Sequence, residues 1–217
     1  MDLYYHPLSS YCWKVLIALY ENETPFVPKM LEEPGVAEAW MALWPIGRFP
    51  IVRDGEKVIA ETSIIIEYLG QHHPGPFVAV PADPDAAIEV RMLDRLFDNY
   101  VMGSLQTVVF EKVRPEGANR DPHGVEQAKA FLARAYDLIE RRIAGRTWAA
   151  GEDFSLADCA AFPSLYYADY IVPFRASHPT LAAYIARLEA RPSVVRVLAE
   201  MRPWFQNFPF ATAKDAH

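Results

Sequence analysis

Four prolines, Pro74, Pro76, Pro81 and Pro84, fall between residues 74 and 84 of this 217-residue chain. Each lacks a backbone N–H and fixes φ, so the stretch can form neither a helix interior nor a central strand. It reads as a linker, and the sequence changes character across it. Ahead of it, strand and helix signals alternate. Leu3-Tyr4-Tyr5 is a short aromatic strand, and Val15, Leu16, Ala18, Leu19 and Tyr20 repeat at helical spacing. Pro25 to Met30 reads as an edge strand because two prolines remove ladder donors. A polar helix over 35–43 follows. Ile51-Val52-Arg53 and Lys57-Val58-Ile59 flank Asp54-Gly55, a pair suited to a tight hairpin turn, and 62–69 is an apolar helix. The predicted order is β-α-β-α-β-β-α. Beyond the linker strand signals nearly vanish, and helices are predicted over 85–113, 122–144, 155–171, 180–190 and 193–201. Residues 1–73 are therefore read as an α/β domain, 74–84 as a linker and 85–217 as an all-helical domain.

Hydrophobic residues make up 52% of the chain, enough for a sizeable core. The net charge is −7. Nucleic acid is not expected as the main partner, because phosphate binding needs a basic face. Two cysteines, Cys12 and Cys159, do not make a disulfide framework, and a reducing cytoplasm is the expected setting. Met1-Asp2-Leu3-Tyr4-Tyr5 has no basic or apolar signal region, and no apolar run reaches the ~18 residues of a membrane span, so no membrane association is expected. His72 and His73 are adjacent and cannot share a helix face, so no metal site is expected.

Three motifs ahead of the linker suit one ligand. Ser9-Ser10-Tyr11-Cys12-Trp13-Lys14 lies between the first strand and helix. A serine there caps the helix, and the same helix end stabilises a thiolate or another anion. In Arg48-Phe49-Pro50-Ile51 a proline opens a strand, where a cis bond would present the Phe49 backbone to an extended peptide. Glu61-Thr62 begins the apolar third helix. Thr62 can cap it and offer its hydroxyl and N–H to a carboxylate, while Glu61 can accept from an ammonium. Each motif has a plainer use, as a helix cap, a trans proline or a solvated glutamate.

Together the motifs resemble the cytosolic glutathione transferase family, over nearly the whole chain. The run from Tyr4 to Val15 is similar to the start of its serine-dependent delta, theta and zeta classes, with Tyr11 in place of a zeta cysteine. Leu43 to Ile51 resembles the segment around the family's cis-proline, and Glu61-Thr62 its γ-glutamyl-binding pair. Gly151 to Asp158 resembles the capping motif ahead of a buried helix; Ser155 and Asp158 have capping-box spacing, and Phe154 can staple onto Cys159. The resemblance implies a thioredoxin-like N-terminal domain and a helical domain for the second substrate. It implies that Ser9 donates to the glutathione sulfur, with Tyr5 or Ser10 as alternatives. Phe49 and Pro50 would hold the cysteinyl unit, Glu61 and Thr62 the γ-glutamyl end, and Arg48 the glycyl carboxylate. A free thiol has a pKa near 8.5; lowering it by about two units makes roughly three-quarters thiolate at pH 7, for about 2.7 kcal/mol. A charge-assisted hydrogen bond and a helix end can supply that.

Glutathione is thus the implied co-substrate and conjugation to a small hydrophobic electrophile the implied detoxifying reaction. Tyr100, Met102, Gln106 and Tyr167 are the expected electrophile pocket. Isomerisation of a maleylacetoacetate-type substrate, peroxide reduction and a non-enzymatic binding module remain alternatives. A homodimer is implied by resemblance.

Overall fold

In a computed structural model, residues 1–115, 117 and 119–211 of the protein are described. Positions 116, 118 and 212–217 of the expected second domain lie outside the described residues. Strands β1 (Asp2–Tyr5), β2 (Val27–Met30), β3 (Ile51–Asp54) and β4 (Lys57–Ala60) form one sheet in the order β2-β1-β3-β4. Strands β1 and β2 are parallel; β3 is antiparallel to both β1 and β4. Asp54 pairs with Lys57 across the hairpin, where Gly55 takes φ +61°. Without a Cβ that left-handed turn is nearly free of strain. Pro28 lies in the edge strand β2, where a missing N–H costs least.

Helices α1 (Ser10–Glu21), α2 (Val36–Leu43) and α3 (Thr62–His72) complete a thioredoxin-like first half. Gly35 precedes α2 in the left-handed region, so that helix starts one residue later than the pattern suggests. Helix α2 is not the expected polar helix: Val36, Ala37, Ala39, Trp40, Met41, Ala42 and Leu43 make it largely apolar, yet none of its residues is fully buried. Helix α3 continues to His72, three residues beyond its apolar run. The irregular stretch that follows leads to the helical half, made of α4 (Pro84–Arg95), α5 (Gly103–Val113), α6 (Pro122–Arg142), α7 (Leu156–Asp169), α8 (Pro179–Glu189) and α9 (Pro192–Met201). A 3₁₀ turn, Arg202–Asn207, ends it. The single helix expected over 85–113 is instead interrupted. Leu96–Met102 is a π-helix, closed by an N–H of Gly103 reaching back to the carbonyl of Asp98.

Helix α1 holds the two halves together. Cys12 through Leu19 are all buried, so the helix is covered around its whole circumference. One side meets α3 and the other meets α7 and α9. Trp13 stacks on Phe162 and packs against Tyr166 and Tyr167 of α7. Helix α7 is buried along nearly its whole length. Asp158 anchors its start: one carboxylate oxygen accepts from the Ala149 N–H (2.8 Å) and the Tyr184 hydroxyl (2.6 Å), the other from the N–H and hydroxyl of Ser155. This is the capping box expected from the spacing.

Lys14, in the middle of α1, is 1% exposed. Its ammonium lies 2.5 Å from Asp94 Oδ1, 2.7 Å from Asp98 Oδ2 and 2.9 Å from the Ser63 hydroxyl. Arg95 meets the same carboxylates from the solvent side. At the other end of α1, Glu21 accepts both Arg191 nitrogens at 2.6 and 2.7 Å. Two predictions follow from these buried charges. Asp158→Ala strands four donors at the head of α7, and the unfolding free energy in urea is expected to fall by about 3 kcal/mol. Lys14→Met leaves two buried carboxylates with Arg95 as their cation, and the same measurement is expected to show a loss of about 3–5 kcal/mol. A loss under about 1 kcal/mol in either variant would contradict these assignments.

Candidate functional site

The three sequence motifs meet at one cleft of ≈ 680 Å³. Ser9, Ser10 and Tyr11 come from the start of α1, Arg48, Phe49 and Pro50 from the loop into β3, and Glu61 and Thr62 from the start of α3. The far side is made by Asp98, Asn99 and Met102 of the π-helix, Leu105, Gln106, Val109 and Phe110 of α5, and Phe208 and Pro209 of the tail.

Ser9 is the N-cap of α1, with φ −78° and ψ 122°. Its hydroxyl oxygen accepts the Cys12 N–H at 3.4 Å, and the same hydroxyl interacts with the Cys12 thiol. The loop that carries it is pinned on several sides. The Ser9 N–H donates to the His6 carbonyl (3.0 Å), Trp13 Nε1 to the Pro7 carbonyl (2.5 Å), and the Tyr167 hydroxyl to the Leu8 carbonyl (2.6 Å). Ser10 turns its hydroxyl onto Met102 Sδ at 3.3 Å. Cys12 is fully buried, and burial pushes its thiol up to about 12, so it packs and does not react at neutral pH.

The Phe49–Pro50 peptide is cis. Trp40 Nε1 donates to the Arg48 carbonyl at 3.1 Å and its ring meets Phe49 edge-on, which sets this wall. At α3 the capping differs from expectation. Glu61, not Thr62, is the N-cap, with φ 68° and ψ 118°, and it makes no side-chain capping bond. A non-glycine residue at positive φ is strained, and such strain clusters at binding sites. Helices α4 and α6, by contrast, are capped by the side chains of Asp83 and Asp121. The first amides of α3 therefore have no side-chain cap, and they open on the cleft beside Thr62, an arrangement suited to a carboxylate.

Two expected residues fall elsewhere. Tyr5 belongs to β1 and lines a separate hollow with Tyr20, Phe26, Arg196 and Glu200. Tyr100 is exposed on the outer side, edge-on to Phe131 of α6. Asp98, Asn99 and Met102 share the helix face that lines the cleft, with Arg95 one turn before and Gln106 one turn after, and Tyr100 falls on another face. Tyr167 does reach the cleft, but it is almost wholly buried and its hydroxyl is spent on Leu8. His6, Tyr11, Arg95 and Asp98 line the cleft without having been singled out. Burial, with the charge of Asp98, pushes the Tyr11 phenol up to about 12, so it stays a hydrogen-bond donor at neutral pH. Its place next to Ser10 was a signal; the pairing of Lys14 with Asp94 and Asp98 had none, because those residues are about eighty positions apart.

Residues 3–77 match the model of the glutathione S-transferase N-terminal domain, and residues 122–187 that of the C-terminal domain. Over 93% of its length the chain is 30% identical to FtsZ-localized protein A of Caulobacter vibrioides, covering 92% of that protein. It is 26% identical to a glutathione S-transferase of Pseudomonas putida, with 92% of each chain covered. The crystal structure of a glutathione S-transferase from Methylobacillus flagellatus with glutathione bound superposes with a TM-score of 0.81 at 26% identity, over 90% of this chain and 98% of the other. Fold, motif order and these likenesses agree: the chain belongs to the glutathione S-transferase family.

Proposed function

We propose that the cleft binds glutathione and transfers its thiolate to a small hydrophobic electrophile. One observation carries the reading: the Ser9 hydroxyl at the start of α1 and the uncapped start of α3 face the same cleft. The γ-glutamyl carboxylate meets the α3 amides and Thr62, and its ammonium meets Glu61. The cysteinyl unit runs along Phe49, and Arg48 takes the glycyl carboxylate. Ser9 donates to the sulfur, and together with the α1 terminus it favours the thiolate over the thiol. The thiolate attacks the electrophilic carbon; the carbon–sulfur bond forms as the leaving group departs with its electron pair, or as an activated double bond takes the pair and a proton. Leu105, Val109, Phe110 and Phe208, with Met102 and Gln106, hold the apolar substrate. Isomerisation or peroxide reduction would draw on the same thiolate. The protein works as a homodimer in the cytoplasm on this reading.

A second reading is a binding module. The relative at 30% identity carries a name that describes localisation with another protein. The two readings separate on glutathione itself. Calorimetry is expected to show glutathione binding to the wild type, with Thr62→Val weakening it about tenfold. No heat at millimolar glutathione would favour the module. In steady-state conjugation of a chloronitrobenzene, Ser9→Ala is expected to lower kcat/KM on the order of a hundredfold, as for the loss of one preorganised donor. An unchanged rate would remove Ser9 from the mechanism.

A further inference from the structure

We propose that His6 is a positioning residue whose unprotonated Nδ1 locks the loop carrying Ser9, so that the cleft handles thiolate well only while this imidazole is neutral. The inference rests on the reading of Ser9 above. It starts from a full account of the main-chain groups of residues 6–9. The His6 N–H meets Cys12 Sγ at 3.5 Å and the His6 carbonyl accepts from Ser9 N–H. The Pro7 and Leu8 carbonyls are held by Trp13 and Tyr167, and the Ser9 carbonyl accepts from Trp13 N–H at 3.0 Å. The remaining donor, Leu8 N–H, goes to His6 Nδ1 at 3.0 Å. Of the side chains that fix this loop, the histidine is the one that titrates near neutral pH.

An accepting Nδ1 places the ring proton on Nε2, which lies 2.7 Å from Glu32 Oε1. Protonating Nδ1 would set an N–H against the Leu8 N–H. That contact would open and take with it the turn on which Ser9 sits. The ring meets Trp204 from the 3₁₀ turn at 5.2 Å between centroids and Glu32 from the turn after β2, and the His6 main-chain N–H meets Cys12 of α1. Cys12 is neutral at working pH, and Trp204 does not titrate. Glu32 is the charged group facing the ring, and it favours the imidazolium; its side chain is 39% exposed, so its pull is screened. Burial outweighs it, and the imidazole titrates below its ordinary value. The sign follows: the neutral form is the folded form's preference, so the lock holds above the depressed folded pKa and is lost as pH falls through it.

Two variants separate the nitrogens. In His6→Asn the amide oxygen falls where Nδ1 was and keeps the acceptor for Leu8; in His6→Gln the amide reaches towards Glu32 and leaves Leu8 unmet. His6→Gln is expected to lose on the order of tenfold in kcat/KM for conjugation, and His6→Asn to recover most of it. With the ionisation of bound glutathione read separately from thiolate absorbance, the acid limb of kcat/KM that remains in the wild type should vanish in His6→Asn. In the wild type, nitrogen-15 NMR at pH 7.5 should show an unprotonated Nδ1, and exchange of the Ser9 amide should quicken as the ring takes up its proton. Equal losses in Asn and Gln, a proton found on Nδ1, or amide exchange blind to His6 titration would each overturn the proposal. If Ser9→Ala conjugates as fast as the wild type, the role of Ser9 falls, and the nitrogen shifts and amide exchange still decide whether His6 locks the loop.

Discussion

A lysine ammonium sealed between two helices governs much of this molecule. Lys14 can stay charged in a dry interior because Asp94, Asp98 and Ser63 surround it at hydrogen-bonding distance. An apolar helix can slide or rotate against an apolar partner at small cost; a charge that must meet fixed carboxylates cannot. The Lys14 contacts, with the Glu21–Arg191 pair seven residues on, thus fix both rotation and translation of α1 against α3, α4 and α9. Everything at the amino end of α1, Ser9 included, inherits that placement.

The chemistry of the cleft then comes from helix ends more than from unusual side chains. Serine at the start of α1 and an uncapped start of α3 supply oriented N–H groups and positive dipole ends, which need no reorganisation when an anion arrives. The ionised side chains of the cleft, Arg48, Glu61, Arg95 and Asp98, balance in sign. Selectivity among anions therefore falls to position. The strained backbone of Glu61 belongs to the same logic: it lets α3 begin without a side chain covering its first amides.

Local signals made most of the fold legible. Period-two and period-3.6 patterns, Asp54-Gly55 and the Ser155–Asp158 spacing each act within a few residues, and the elements they predict are present, with the helix expected over 85–113 broken by a π-helix. Departures arose where tertiary contacts decided. The π-helix at 96–102 cannot be told from an α-helix by composition, and Tyr100 packs on Phe131 of α6 away from the cleft. Tyr5 and Ser9 both precede α1 in sequence, and only the sheet's path assigned Tyr5 to another hollow. Thr62 is a better cap than Glu61 by residue type, but Glu61, at φ 68°, takes the N-cap position one residue earlier. The candidate site was legible where its residues sit at element starts. It was not where they pair across eighty positions.

The half-buried helix α2 has a consequence of its own. Its side chains, Trp40 among them, shape the wall beside Phe49, yet it contributes no residue to the interior. Opening such an element uncovers little apolar surface, so its free energy of local unfolding lies near the bottom of the scale, while α1 and α7 open only with the whole molecule. The cleft is thus bounded by one stiff side and one compliant side. A side of low local stability can yield to ligands of different bulk while the helix starts opposite keep their placement.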